Sequence, residues 1–433
     1  MPQPGNNSST VGRRALIAGA GLALAAPAVR AQGTSGGVAL VIGNSKYHWE
    51  APLPNVKRDA PDVARAFQSY GLKTELIQDA GRSAMNRAFE NFGTAAKGAN
   101  IAAFYFAGHG ASWGTDSYLV PVDADLGNPT STIGTLTKTQ VVSQAMREAA
   151  NRLLVFDNCR NNPADGWRQL EAEREAATGF GGTGPAAPAR SGHGLALYST
   201  APGRIARDGP AGENSPFAAA LLRQLQSDSV DLHTLPSKLR RDLLIVTEGK
   251  QLVWDRTRIQ QSVVLNAPRN RQPVAVGSVA GNPARIVELP KAYAYAQEHG
   301  LPLPPGLIAY RAPANARDAR KIGSFHFLNR NELGESQAIL IVISVEEQQT
   351  AEIIMSVKGR FNPETKKMEA GSIWRFVTGR LSGDRMEYVP RAGSARWVFD
   401  WRDANAPTFN LVSDEQVGAR GWIHNARLTR LDG

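Results

Sequence analysis

Cysteine is almost absent: Cys159 is the only one in 433 residues. A lone thiol excludes an intrachain disulfide framework and, by itself, a thiolate metal cluster. What remains for it is reactivity. No apolar run reaches the length that crosses a bilayer comfortably. No arginine-rich run or basic-aromatic motif accompanies the formal charge of +10, so the excess of positive charge reads as a basic surface and not as a nucleic-acid site. His48, His193, His233, His299, His326 and His424 lack metal-ligand spacing, and no metal or other cofactor is implied.

The length suggests two domains, each able to bury its own core. Residues 1–31 are set apart from both. A polar lead ends in Arg13 and Arg14, an apolar run follows from Ala15 to Ala28, and Val29-Arg30-Ala31 offers small residues for cleavage. This segment resembles a twin-arginine export signal, which implies an exported, periplasmic protein without stable membrane insertion. If so, replacing Arg13 and Arg14 by lysine strands the protein in the cytoplasm.

From residue 38 the pattern alternates between strand and helix. Apolar runs closed by turn residues predict buried strands over 38–44, 101–106 and 151–157, and further strands are read over 72–77 and 195–200, with a small strand at 118–122 and a last one at 261–265. Helical spacing predicts helices over 59–70, 83–96 with Ser83 as cap, 137–149 with Thr137 as cap, 216–225 opened by Ser215-Pro216, and 232–246. In the third of these, Val141, Val142, Ala145, Met146 and Ala149 form the expected buried stripe. The reading is an α/β fold over 38–266, a mostly parallel sheet with helices on both faces. Residues 267–288 read as a linker, and 161–192 as a long exposed loop rich in Gly, Ala and Pro. Beyond 289, short β-rich segments separated by turns predict a separate all-β sandwich or barrel whose role the sequence leaves open. Trp374, Trp397, Trp401 and Trp422 fall there, where filling a core is the commoner use.

The chemistry gathers at two strand ends. The run Asn151–Asp157 leads into Asn158, Cys159 and Arg160, and the run before it leads into Ala107-Gly108-His109-Gly110. In an open α/β sheet, the carboxyl ends of neighbouring strands share one crevice. A thiol near pKa 8.5 is only slightly ionised at neutral pH, so a nucleophilic cysteine needs a base beside it. His109 can serve as that base, and the Gly110 and Cys159 amides as an oxyanion hole.

Six segments in order, V-A-L-V-I-G-N (38–44), L-P-N-V-K-R-D-A (53–60), F-Y-F-A-G-H-G (104–110), Y-L-V-P-V-D (118–123), L-V-F-D-N-C-R-N-N-P (154–163) and L-Y-S-T-A-P-G followed by N-S-P-F-A-A-A-L-L, resemble the caspase-like peptidases of the bacterial branch akin to metacaspases and orthocaspases. The resemblance implies a cysteine endopeptidase with a His109/Cys159 dyad, fifty residues apart as in caspase-type enzymes. It also implies that Asp59 and Asp157 line the S1 pocket. Two carboxylates there favour an arginine or lysine at P1 and reject an aspartate by about 3–5 kcal/mol. The partner expected is therefore a peptide or protein substrate with a basic P1 residue. Family members are often cut in the segment after the cysteine, which makes Arg168, Arg174 and Arg190 candidate self-cleavage sites, ahead of Arg160. Ala107, Val56 and Asn158-Cys159-Arg160 depart from the metacaspase pattern. The acidic pair that follows P-V-D in calcium-dependent metacaspases is missing, so calcium independence is expected. The alternative is a catalytically idle caspase-like scaffold that binds a partner in the periplasm.

Overall fold

The computed structural model describes residues 1, 36–113, 116–127, 133–158, 193–200, 206–210, 212–259, 262–268, 270–271, 283–304, 306–311, 319–331, 334–346, 350–362, 367–388, 396–403, 405–412 and 424–432. The export segment, most of the 267–288 stretch and the 161–192 loop lie outside them.

Six strands make the central sheet: β1 (Val38–Gly43), β2 (Lys73–Gln78), β3 (Ile101–Ala107), β7 (Asn151–Asp157), β8 (His193–Tyr198) and β10 (Trp254–Thr257), in the order β10-β8-β7-β3-β1-β2. The first five run parallel; β10 joins the β8 edge antiparallel. The inner strands β1, β3, β7 and β8 are buried along nearly their whole length because both faces are covered, whereas the edge strand β2, K-T-E-L-I-Q, is largely exposed. Within the inner strands the period of two persists in where each residue points. Ala39, Val41, Ala103, Tyr105, Leu153 and Val155 face one core, with α1 (Val56–Ser69), α4 (Pro216–Gln224) and α5 (Leu235–Val246) packed on it. Leu40, Ile42, Ala102, Phe104, Phe106, Leu154 and Phe156 face the other, covered by α2 (Arg82–Ala96) and α3 (Thr139–Ala145). On this second face an aromatic row crosses the strands, with ring centroids 5.8 Å apart for Phe104–Phe156 and 5.0 Å for Phe156–Tyr198.

Several local expectations differ from the structure. Ser83 lies inside α2, and Gly81 is its N-cap, with no side-chain hydrogen bond. Instead Asp123 reaches across from the P-V-D segment and accepts the Arg82 amide at 2.9 Å. Thr137 does not cap α3 but forms with Lys138 a short strand, β6 (Thr137–Lys138), in which it pairs with Leu119 of β5 (Asp116–Leu119), itself paired with β4 (Gly110–Trp113). The helix is shorter than expected, so Val142 and Met146 are buried while Val141 is 40% exposed. The strand expected at 261–265 is β11 (Val264–Asn266), which pairs with β9 (Ser229–Asp231) outside the central sheet; the sixth central strand, β10, went unread. By contrast Ser215 caps α4 as expected, accepting the Ala218 amide at 3.0 Å, with Pro216 at the first helical position.

The C-terminal part opens with the hairpin β12 (Ile286–Glu288) and β13 (Ile308–Tyr310), which encloses one helix the β-rich pattern did not show, α6 (Pro290–Glu298). Nine antiparallel strands follow: β14 (Gly323–Asn331), β15 (Gly334–Glu346), β16 (Thr350–Asn362), β17 (Lys367–Ser382), β18 (Arg385–Tyr388), β19 (Arg396–Asp400), β20 (Thr408–Val412), β21 (His424–Arg427) and β22 (Thr429–Asp432). Their order is β21-β20-β19-β18-β17-β16-β15-β14-β22. Since β21 and β22 are the two edges and only Leu428 separates them, the sheet curls into a nearly closed barrel. Phe325, Phe327, Phe399, Trp401 and Phe409 fill it, with Trp401 at 2% exposure, so this tryptophan is core. In β15, residues Ala338–Ile343 are buried without alternation, and the same core takes in α6, the β12–β13 hairpin and Leu244 of α5.

Candidate active site

The carboxyl ends of β3 and β7 are register partners, Ala107 opposite Asp157, and the pairing runs one step further as Gly108 N–H donates to the Asp157 carbonyl at 3.3 Å. His109 and Cys159 thus each follow a paired strand end by two residues. Cys159 lies outside the described residues, as do Arg168, Arg174 and Arg190.

His109 is held from three sides. Its backbone N–H donates to the Tyr47 hydroxyl at 2.7 Å, its ring stacks obliquely on Tyr47 with centroids 4.5 Å apart, and its Nε2 lies 2.8 Å from the Ala51 carbonyl. A carbonyl only accepts, so this contact fixes Nε2 as the protonated nitrogen and leaves Nδ1 as the basic one. Burial pushes the Tyr47 phenol far above its ordinary range, so it keeps its proton and donates to the Val120 carbonyl. Gly108 leaves no room for a side chain here: a Cβ would lie 2.6 Å from the Tyr47 hydroxyl and 2.8 Å from the Phe106 ring. Gly110 opens β4 directly after His109.

The structure brings the two expected specificity carboxylates into one buried network. Asp157, at the tip of β7, accepts from the Ser215 hydroxyl at 2.9 Å and the Tyr105 phenol at 3.2 Å. Asp59, on the first turns of α1 and 1% exposed, accepts from the Ser215 backbone N–H and the Asn214 amide, each at 3.0 Å. Its other oxygen, Oδ2, is buried with no hydrogen-bond partner among the described residues. Asn214 also donates to Asp62, and Asn55 binds the Asp208 and Pro210 carbonyls. Residues 206–210 and 212–215 are therefore strapped across the N-terminal end of α1, with Asp208 near enough to His109 for a positive charge there to ease its ionisation. Beside them, a groove of about 580 Å³ runs between residues 206–209 and Pro216 on one side and Val246, Thr247, Glu248 and Lys250 on the other.

Sequence reading caught Ser215 only as a helix cap and missed Tyr47, Ala51, Asn214 and Asp208. Of these, the N-S-P run alone carried a signal, since a polar residue beside a cap at the strand ends can reach the same carboxylates.

The family model of the caspase domain matches residues 36–263, more than half of the chain, and spans the whole central sheet. The chain belongs to the caspase-domain family. It is accordingly a cysteine peptidase of the caspase fold, acting on protein or peptide substrates. Caspase-1 from Spodoptera frugiperda is similar in structure, with 13% identity and a TM-score of 0.39 over 55% of this chain and 92% of that one. No curated protein matches the chain. Among the described residues, no helix is long and apolar enough to cross a membrane.

Electrostatics single out the carboxylate pair of this caspase domain. Burial pushes the Asp157 carboxyl up to about 6. Burial, and then the charge of Asp157, pushes Asp59 well above the usual carboxylate range. An unfolded aspartate titrates near about 3.9, so the fold retains protons that the unfolded chain releases. The contribution of Asp157 to stability is therefore complete below about pH 4 and is lost as pH rises through about 6, and that of Asp59 is lost at higher pH still. Melting temperatures of ligand-free protein should show this fall between pH 4.5 and 7.5, and Asp157→Asn should flatten it. Parallel curves for the two proteins would assign the titration to other groups.

Proposed function

We propose that this caspase-domain protein is an endopeptidase that cleaves after arginine or lysine, with Cys159 as nucleophile and His109 as base. The observation that carries the specificity is the pair Asp59 and Asp157, two buried carboxylates joined through Ser215, one with an oxygen lacking any partner among the described residues. Burial of two acids without a counter-ion is unfavourable. A guanidinium or ammonium entering beside them stabilises their ionised forms and supplies donors, whereas an aspartate side chain adds negative charge to a site whose own acids already resist ionising.

The chemistry follows from the protonation set at Ala51. With Nε2–H occupied by that carbonyl, Nδ1 takes the Cys159 proton as the thiolate attacks the scissile carbonyl. The Gly110 and Cys159 amides hold the oxyanion. The proton then passes to the leaving amine, giving a thioester that water hydrolyses with His109 again as base. With a basic P1 preference, Arg168, Arg174 and Arg190 are the proposed sites of self-cleavage. A preparation that stays one band, indistinguishable from its Cys159→Ala variant, argues against processing.

The direct test is a set of fluorogenic peptides ending in Arg, Lys or Asp. Arginyl and lysyl peptides should be cleaved and the aspartyl peptide left intact; failure of correctly folded protein to hydrolyse any basic peptide would sink the proposal. In the same assay Asp157→Asn should lower kcat/KM for the arginyl peptide about 10- to 150-fold, the worth of one charged hydrogen bond. An unchanged value would remove Asp157 from the specificity pocket.

A further inference from the structure

The segment 206–215 is fixed at its far end by Asn214 and Ser215 on the two carboxylates, but something must also set its near end. That end holds Asp208, within electrostatic reach of His109. Gln251 occupies the required place. It is 3% exposed, and its side-chain amide is used in both directions: Nε2 donates to the Ser199 carbonyl at 2.8 Å, and Oε1 accepts the Arg207 backbone N–H at 3.1 Å. Ser199 stands just past β8, where its own hydroxyl reaches the Asn158 carbonyl at 3.5 Å and the Asp157 side chain. One amide therefore spans from the residue beneath Asp157 to the residue beside Asp208.

Gln251 is itself anchored. Its backbone N–H donates to the Thr247 hydroxyl at 3.1 Å, and that hydroxyl donates back to Leu243 of α5 at 2.6 Å. The helix ends there in a left-handed turn, Glu248 and Gly249 at φ 52° and 84°, with Gly249 N–H reaching the Leu244 carbonyl at 2.8 Å. Gly249 also lies against the C-terminal part: a Cβ on it would come within 2.9 Å of the Tyr310 ring and 3.2 Å of Ser344.

We infer that Gln251 is a positioning residue for substrate recognition, holding the start of segment 206–215 at a fixed height over Asp157 from the end of α5. This rests on the peptidase reading, in which that segment borders the bound substrate. Gln251 touches no reacting atom, so its loss should act on binding and not on the nucleophile. Gln251→Met keeps the length of the side chain and removes both hydrogen bonds. It should raise KM for an arginyl peptide about tenfold or more with kcat within about threefold. The rate at which iodoacetamide alkylates Cys159, the only thiol in the chain, should not change. Gln251→Glu supplies a control at constant shape. Its ionised carboxylate accepts from Arg207 but repels the Ser199 carbonyl, while the protonated form restores the donor, so the ratio of its KM to that of the wild type at the same pH should fall toward one as pH falls, Asp157 titrating alike in both proteins. A readout independent of activity is tryptic cleavage after Arg207 well below the melting temperature, expected to be faster in Gln251→Met. An unchanged KM in both variants of an active enzyme overturns the inference, as does an equal fall in kcat and alkylation rate. If wild-type protein hydrolyses no basic peptide, the peptidase reading fails separately, and the tryptic rate at Arg207 decides whether Gln251 holds the segment.

Discussion

Replacing Cys159 by alanine is expected to reduce hydrolysis of arginyl peptides to background, a loss of at least about a thousandfold, because no second thiol exists to take its place. His109→Ala should fall comparably at neutral pH but leave a distinctive remainder. Without its base the thiol ionises only as an ordinary cysteine, near about pH 8.5. Residual activity of His109→Ala should therefore climb through that range, where the wild-type rate has already levelled. The two variants are not expected to add, since nucleophile and base act as a unit: the double mutant should be no worse than Cys159→Ala alone. A His109→Ala enzyme with near-normal turnover at pH 7 would mean that another group deprotonates the thiol.

The second large effect concerns stability. Arg240 of α5 and Asp255 of β10 form an ion pair at 2.5 Å with side chains 3% and 7% exposed, and Arg240 also donates to the Gly306 carbonyl at 2.9 Å. Arg240→Met leaves the Asp255 carboxylate buried without a counter-charge, at a cost of about 3–5 kcal/mol, a large part of the roughly 5–15 kcal/mol that holds a typical domain together. Burial already pushes the Asp255 carboxyl up against the opposing pull of Arg240. Once the arginine is gone, the acid should protonate more readily, so the variant's deficit should be greatest near neutral pH and shrink in acid. Adding Asp255→Leu removes the stranded charge, and the double variant should regain most of the loss. Denaturant melts give the test; an Arg240→Met protein within about 1 kcal/mol of wild type would show that water reaches Asp255 and that the pair is not truly desolvated.

That ion pair also explains why one strand went unread. Trp254–Thr257 is W-D-R-T, too polar for a central strand by pattern, and its acid becomes acceptable only through an arginine fifteen residues earlier, on a helix. The inner parallel strands were legible because a sheet covered on both faces needs an apolar run, as in Ile101–Ala107 and at the centre of β7 in Leu153–Phe156. Helix α6 was obscured by Tyr293-Ala294-Tyr295-Ala296, which alternates like a strand. Its start depends on Asp432, which accepts the Lys291 and Ala292 amides at 3.1 and 2.7 Å from more than a hundred residues away. At the site, His109, Asp59 and Asp157 were legible through their motifs and positions at element ends. Ala51 and Gln251 were not, because the one contributes a backbone carbonyl, which has no residue signature, and the other an amide whose two partners are both backbone groups.

The closure of the barrel by its last two strands has a consequence during synthesis. The caspase sheet is complete once Thr257 has emerged from the ribosome, but β14 waits for β22, with Ser324 opposite Asp432, and α6 waits for the same aspartate. For roughly the time needed to add the intervening residues, on the order of ten seconds or more at common elongation rates, the nascent chain carries a paired caspase sheet beside an open sheet with two unsatisfied edges. Folding of the C-terminal part is therefore non-local and late. Substitutions in the few residues 424–432 should show themselves first as aggregation of newly made protein, even where the mature molecule, once closed, tolerates them.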